Sequence, residues 1–265
     1  MNKSYCTMAN AIASLYTIPV PLQDIAKDEG IRVIYDDYGT DTFDGMTWYE
    51  PKQDKFFIHI NTKRNNAIAN SKGRFTLAHE LGHYFIDHHR LALESGKMQP
   101  HFHRYVQFGK NEQWEIEREA DDFAANLLMP TSLFKSEFDG QLLSGALIKA
   151  IAEKYQVSFS ACALRYMKLK LTPIILVFSQ NGKIKWQMRS EDFPFYRLKY
   201  GKDKVPENTV MGDYFYKKDS NCCYHDEIVY AGDCFDTYNE EQNSIEFFEY
   251  CMCYKEYTFS MLWEK

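Results

Sequence analysis

The run Thr76-Leu-Ala-His79-Glu80-Leu-Gly-His83 combines residue types and a spacing that can do chemistry. On a helix, residues i and i+4 share a face, so His79 and His83 can approach one metal ion from the same side. Zinc suits two imidazole ligands, and a carboxylate beside it can act as a general base. Glu80 is placed for that role. A pattern with three fixed positions also arises by chance on amphipathic helices, so its setting has to decide.

The setting is helical. Asn70 or Ser71 can cap a helix start. Phe75, Ala78, Leu81, Phe85 and Ile86 then repeat at the spacing of a half-buried helix. Residues 55–60, Lys-Phe-Phe-Ile-His-Ile, have strand character and immediately precede it. A strand followed by a metal-binding helix can hold an extended peptide along a sheet edge.

A catalytic zinc usually has three protein ligands and one open position. One candidate for the third is His89, which falls on the last position of H-E-x-x-H-x-x-G-x-x-H. Ile86 stands at the glycine of that pattern, however, and a β-branched residue resists the required turn. The helix is therefore expected to continue and carry His89 away. The other candidate is a glutamate on a later helix. Residues 112–129 read as one helix ended by Pro130, with Ile116, Ala120, Phe123, Ala124, Leu127 and Leu128 as its apolar face. Of its acids, Glu117 lies nearest that face, about 60° from its centre. Glu115 and Glu119 read as solvated acids. Asp121 follows Glu117 by one turn and can accept the free ring N–H of His79, fixing its tautomer.

"RFTLAHELGHYFIDHH" followed by "EIEREADDFAANLLMP" resembles the ImmA/IrrE family of metallopeptidases, over roughly residues 5–170. The resemblance implies His79, His83 and Glu117 as ligands of one zinc per chain, with Glu80 as catalytic base. The Glu117/Asp121 pair is also similar to the glutamate helix of gluzincins. The family implies a bacterial or phage endopeptidase that cleaves a helix-turn-helix repressor and so switches on genes.

Composition sets outer bounds. The chain has 265 residues, 45% apolar and 16% aromatic, enough for one large core or two to three small ones. A formal net charge of −6 argues against a protein that coats nucleic acid or anionic membrane. No run approaches a membrane span, and the polar start is unlike a signal peptide, so a cytoplasmic protein without membrane association is expected. Seven cysteines, Cys6, Cys162, Cys222, Cys223, Cys234, Cys251 and Cys253, fit no standard disulfide framework and are expected as reduced thiols. Five of them lie near the C-terminus with His225, but without the C-x-x-C pairing of a zinc ribbon.

The expected fold is α+β in three parts. Residues 1–130 form a zinc-peptidase-like domain with a small sheet: a strand at 31–35, then a hairpin from 46–49 and 56–60. Residues 91–111 read as irregular. They lie between the two metal-binding helices, so His103 and Tyr105 are the candidate oxyanion donors. Residues 131–171 form a helical segment patterned as a helix-turn-helix, with a turn near Val157-Ser158. Over residues 146–170 the positive Lys149, Lys154, Arg165, Lys168 and Lys170 outnumber the acid Glu153, which allows DNA binding. The acidic chain favours a structural or protein-binding hairpin. Residues 172–265 form a C-terminal mixed α/β domain, opened by strands around the Asn181-Gly182 turn. Further strand-like runs lie at 227–230 and 245–254. Some members of the family carry a GAF-like sensor at this place, which implies that shape but no ligand.

The function expected is a zinc-dependent site-specific endopeptidase acting on a helix-turn-helix repressor. The alternative is a non-catalytic regulator that binds a repressor or DNA through the helical segment. The intact Glu80 counts against the alternative, because a structural zinc needs no base. Serine hydrolase chemistry has no support, since no serine sits in a nucleophile elbow.

Overall fold

The computed structural model describes residues 3–97 and 112–265. The chain is a mixed α+β protein that divides into two compact units, one of Met1–Ser136 with Ala152–Ser158 and one of Glu137–Ile151 with Phe159–Lys265.

In the first unit, β1 (Arg32–Asp36), β2 (Gly45–Glu50) and β3 (Lys55–Asn61) form a three-stranded sheet in the order β1-β3-β2. The β2–β3 hairpin is antiparallel, as the sequence pattern requires, and β1 pairs parallel to β3. The alternation of β3 buries Phe56, Ile58 and Ile60. Helices α1 (Ser4–Ala13) and α2 (Leu22–Asp28) precede the sheet.

Against the sheet packs α3 (Ser71–Phe85), whose N-cap Asn70 accepts a hydrogen bond from the Gly73 N–H. Helix α3 also packs on α5 (Glu112–Leu128). Leu77, Ala78 and Leu81 of α3 meet a core that includes Ala120, Phe123, Ala124, Leu127 and Leu128 of α5, all fully buried or nearly so. Gly82 permits this close crossing, since a Cβ there would lie 3.2 Å from the Ala120 Cα and from the Phe123 ring.

Helix α3 does not run on through Ile86, contrary to the expectation. Ile86 is extended (φ −77°, ψ 110°), and α4 (Asp87–Glu94) starts at the next residue. An extended residue needs no glycine, so the β-branched side chain is no obstacle to this break. It also makes residues 91–94 helical rather than irregular. His103 and Tyr105 lie outside the described residues.

The residues expected to form one helical segment separate into α6 (Thr131–Ser136), α7 (Gly145–Tyr155) and α8 (Phe159–Lys168). The second unit holds a five-stranded antiparallel sheet of β4 (Ile174–Gln180), β5 (Lys183–Arg189), β6 (Asp226–Tyr230), β7 (Glu246–Tyr254) and β8 (Tyr257–Glu264), in the order β5-β4-β8-β7-β6. Asn181 and Gly182 both have positive φ, the geometry that a two-residue hairpin turn needs. One sheet face buries Ile175, Val177, Phe247, Cys251 and Leu262 in a core with Phe193, Phe195 and Phe235.

The cysteines are not all reduced, which corrects the composition-based expectation. Cys223 and Cys253 form a disulfide, while Cys6, Cys162, Cys222, Cys234 and Cys251 are not disulfide-bonded. The pairing joins residues 30 apart in sequence, a spacing that no local motif marks.

Candidate metal centre

The four-residue spacing on α3 does bring His79 and His83 together, with their Nε2 atoms 3.1 Å apart. Both side chains are almost wholly buried. Across the Gly82 crossing, α5 presents Glu117, with Oε2 3.3 Å from the His79 Nε2 and Oε1 3.7 Å from the His83 Nε2. Tetrahedral zinc with bonds of about 2.0–2.2 Å separates neighbouring ligand atoms by roughly 3.3–3.6 Å. The three measured separations bracket that range. Two imidazoles and a carboxylate thus converge as a donor set fit for one metal ion.

The surroundings of the set are ordered from α5. Asp121 Oδ1 lies 2.9 Å from the His79 Nδ1, so an Nδ1–H donated there leaves the Nε2 lone pair facing Glu117 and His83. Burial alone would lower the His79 pKa. Hydrogen bonds to Asp121 and Glu117 outweigh it and raise the imidazole to about 10. The carboxylates of Asp121 and Glu117 therefore favour positive charge at the buried His79 ring.

Glu80 is buried beside the pair and does not belong to the donor set. The Thr47 hydroxyl lies 2.7 Å from Glu80 Oε2 and 3.0 Å from the Glu80 carbonyl oxygen, and donates to them. Two residues earlier on the same strand face, Gly45 leaves the space that the carboxylate fills. A Cβ on Gly45 would lie 2.6 Å from Glu80 Oε1. The start of β2 is fixed in turn by Asp44, which is wholly buried and pairs with Arg64 at 3.1 Å and Lys72 at 2.6 Å. Asn66 donates to Asp44 at 2.8 Å and accepts from Thr76 of α3 at 2.9 Å, so the same network ties the strand to the metal-binding helix. Burial would raise the Asp44 carboxyl; the hydrogen bonds from Arg64, Lys72 and Asn66 overcome this and lower it.

Sequence reasoning missed Thr47, Gly45 and Asp44. The one signal for them was a glycine opening a strand, which often marks close approach of another group.

His89 does not join His79 and His83 on the metal-facing side. It is fully buried on the other side of His83, where the two Nδ1 atoms are 3.2 Å apart. Glu119 is not a purely solvated acid either, since its Oε2 lies 2.7 Å from the His88 Nε2 and 3.1 Å from the His89 Nε2.

Comparison with known proteins bears on this site. The family model for Peptidase_M78, the IrrE N-terminal-like domain, matches residues 26–167, more than half of the chain. The chain belongs to this family. The match takes in α3, α4 and α5 and every residue of the His/Glu cluster. Among solved structures, the fold is similar to that of a Mycobacterium tuberculosis transcriptional regulator, at a TM-score of 0.59 and 14% identity over 98% of this chain and 76% of that one. No curated protein matches the chain. The family supports a peptidase and a metal requirement. No helix among the described residues is long and apolar enough to cross a membrane.

Proposed function

We propose that this protein is a zinc-dependent, site-specific endopeptidase that cleaves a helix-turn-helix transcriptional repressor and so derepresses genes. The observation that carries the reading is the convergence of His79, His83 and Glu117 at tetrahedral ligand spacings with a separately held, buried Glu80 beside them. These three residues would hold one zinc ion per chain. Zinc held there would supply Lewis-acid polarisation of a scissile carbonyl and a water that is nucleophilic at neutral pH.

The remaining work falls to the protein. Glu80 takes the proton from the attacking water and delivers it to the leaving amine. Thr47 fixes the carboxylate by donating to Oε2, and Gly45 keeps the space beside Oε1 open to it. Asp121 holds His79 in the tautomer that turns Nε2 toward the metal. Strand β2 is an edge of its sheet and packs on α3, so an extended peptide paired to that edge would pass the cluster. His103 and Tyr105 are proposed as oxyanion donors only because they lie in the sequence between the two metal-binding helices.

The domains are residues 1–130 as the peptidase domain, 131–171 as a helix-turn-helix-like segment, and 172–265 as a sheet-containing domain of GAF-like shape. The five-stranded antiparallel sheet supports that shape. The likeness to a protein described as a transcriptional regulator supports a role in gene control, and it keeps open a second reading as a non-catalytic regulator that binds a repressor or DNA. Arg165, one of the basic residues of the helical segment, is buried, which removes it from any DNA-facing surface.

The test combines the purified protein and zinc with helix-turn-helix repressors, beginning with any encoded beside its gene. Wild type is expected to fragment the repressor, and chelator to stop it. Glu80→Gln is expected to retain zinc and fold but to lose cleavage by several orders of magnitude, lacking both proton acceptor and donor. Binding and derepression without fragmentation would establish the regulator instead.

A further inference from the structure

His83 has a second ring nitrogen, and its neighbours form a chain leading away from the metal-facing side. Its Nδ1 lies 3.2 Å from the His89 Nδ1, and the His89 Nε2 lies 3.1 Å from Glu119 Oε2. His89 has no solvent exposure, and the break at Ile86 is what folds it back against His83. Glu119 also receives His88 at 2.7 Å.

The ring tautomers give this hydrogen-bonded series a direction. If the His83 Nε2 lone pair faces a metal, Nδ1 must carry the hydrogen, and the His89 Nδ1 must accept it. His89 then carries its own hydrogen on Nε2, aimed at the Glu119 carboxylate. Protons and lone pairs match at every link with both rings neutral. We propose that His89 and Glu119 are positioning residues for His83: a relay that fixes its tautomer and ring orientation, as Asp121 does directly for His79. The proposal rests on the metal-centre reading above. Helix α5 would then supply one ligand, Glu117, together with the carboxylate support of both histidines, Asp121 at one contact and Glu119 through an intermediate ring.

His88, His89 and Glu119 also satisfy the spacing of a metal-binding group. The relay excludes that use while His83 is a ligand. His89 would have to give one lone pair to His83 and the other to the second metal, which requires an imidazolate. The approach of both His88 and His89 to a single carboxylate oxygen, at 2.7 and 3.1 Å, is hydrogen-bond geometry.

The experiment measures zinc stoichiometry and affinity by chelator competition on the full chain, for wild type, Glu119→Ala, Glu119→Gln and His89→Phe. Melting of the metal-free proteins is followed in parallel. Loss of an outer partner typically weakens binding about 10- to 100-fold. Glu119→Ala is expected near the lower end, because it acts through His89, and His89→Phe near the upper. Glu119→Gln keeps an oxygen that accepts the His89 N–H and is expected to recover most of the affinity. Imidazole nitrogen NMR of the zinc-loaded wild type is expected to show His89 protonated on Nε2. Glu119 is partly exposed, so its variants remain informative if His89→Phe folds poorly. Affinity unchanged in Glu119→Ala, or altered melting without altered affinity, overturns the relay alone. Two zinc ions in wild type, falling to one in Glu119→Ala, replace it with a second metal site. A wild type that binds no zinc overturns both the relay and the reading beneath it.

Discussion

Asp44 in the first unit and Glu249 in the second are both carboxylates without solvent exposure, yet their neighbours drive them in opposite directions. Asp44 is met by Arg64, Lys72 and Asn66 and is lowered. Glu249 is met by neutral donors, the Ser260 hydroxyl and the Val210 and Met211 N–H groups, and burial pushes it up to about 7. Desolvation acts on both; only Asp44 has cations to offset it. The first unit therefore keeps a fixed charge in its interior, and that charge anchors the strand that holds Glu80. The second closes its core around a group that is easily neutralised.

The largest expected effect in this comparison comes from removing the Asp44 charge. Asp44→Asn leaves Arg64 and Lys72 without their carboxylate, and the cost is expected near 3 kcal/mol at neutral pH, the low end for a broken buried pair because both cations reach solvent. Denaturant unfolding would check it. A group lowered on folding stabilises above its unfolded value and loses that contribution as pH falls through the folded one. The difference between wild type and Asp44→Asn is thus expected to shrink only in acid. Equal stability at pH 7 would show that the network does not anchor β2.

Glu249 has the reverse sign. Its pKa is raised from 4.5 to about 7, so its contribution is complete below about 4.5 and is lost as pH rises through about 7. The interval corresponds to about 3 kcal/mol at most. Wild type is expected to lose stability between pH 5 and about 7, and Glu249→Gln, which resembles the protonated form, is expected to lose much less. Parallel melting curves for the two proteins across that range would remove the contrast with Asp44.

A smaller effect sharpens the link from the anchored strand to the chemistry. Thr47→Val keeps shape and removes the hydroxyl that donates to Glu80. A hydrogen bond to a charged group is worth about 1.5–3 kcal/mol, so cleavage is expected to fall about tenfold or more with zinc content unchanged. Unaltered turnover would leave Thr47 a packing residue.

Much of the site was legible because helices write their geometry into local spacing. His79 and His83 share a face by four-residue separation, and Glu117 and Asp121 were placed by the apolar stripe of their own helix. The two hairpins were legible for a similar reason, alternation on β2 and β3 and the Asn181-Gly182 turn. Thr47 and Gly45 were not, because their relation to Glu80 depends on how a strand seats on a helix more than 30 residues later in the chain. Ile86 misled because the metzincin pattern drew attention to its glycine position, whereas an extended residue followed by a new helix at Asp87 achieves the break without one. The Cys223–Cys253 pair depends on a loop meeting β7, which no cysteine spacing encodes.

The central claim, that His79, His83 and Glu117 together hold one zinc ion, is tested most directly by metal content and affinity in Glu117→Ala. The account expects one tightly held zinc per chain in wild type, and in Glu117→Ala a folded protein whose zinc affinity falls sharply. Full zinc occupancy with unchanged affinity in Glu117→Ala would contradict it.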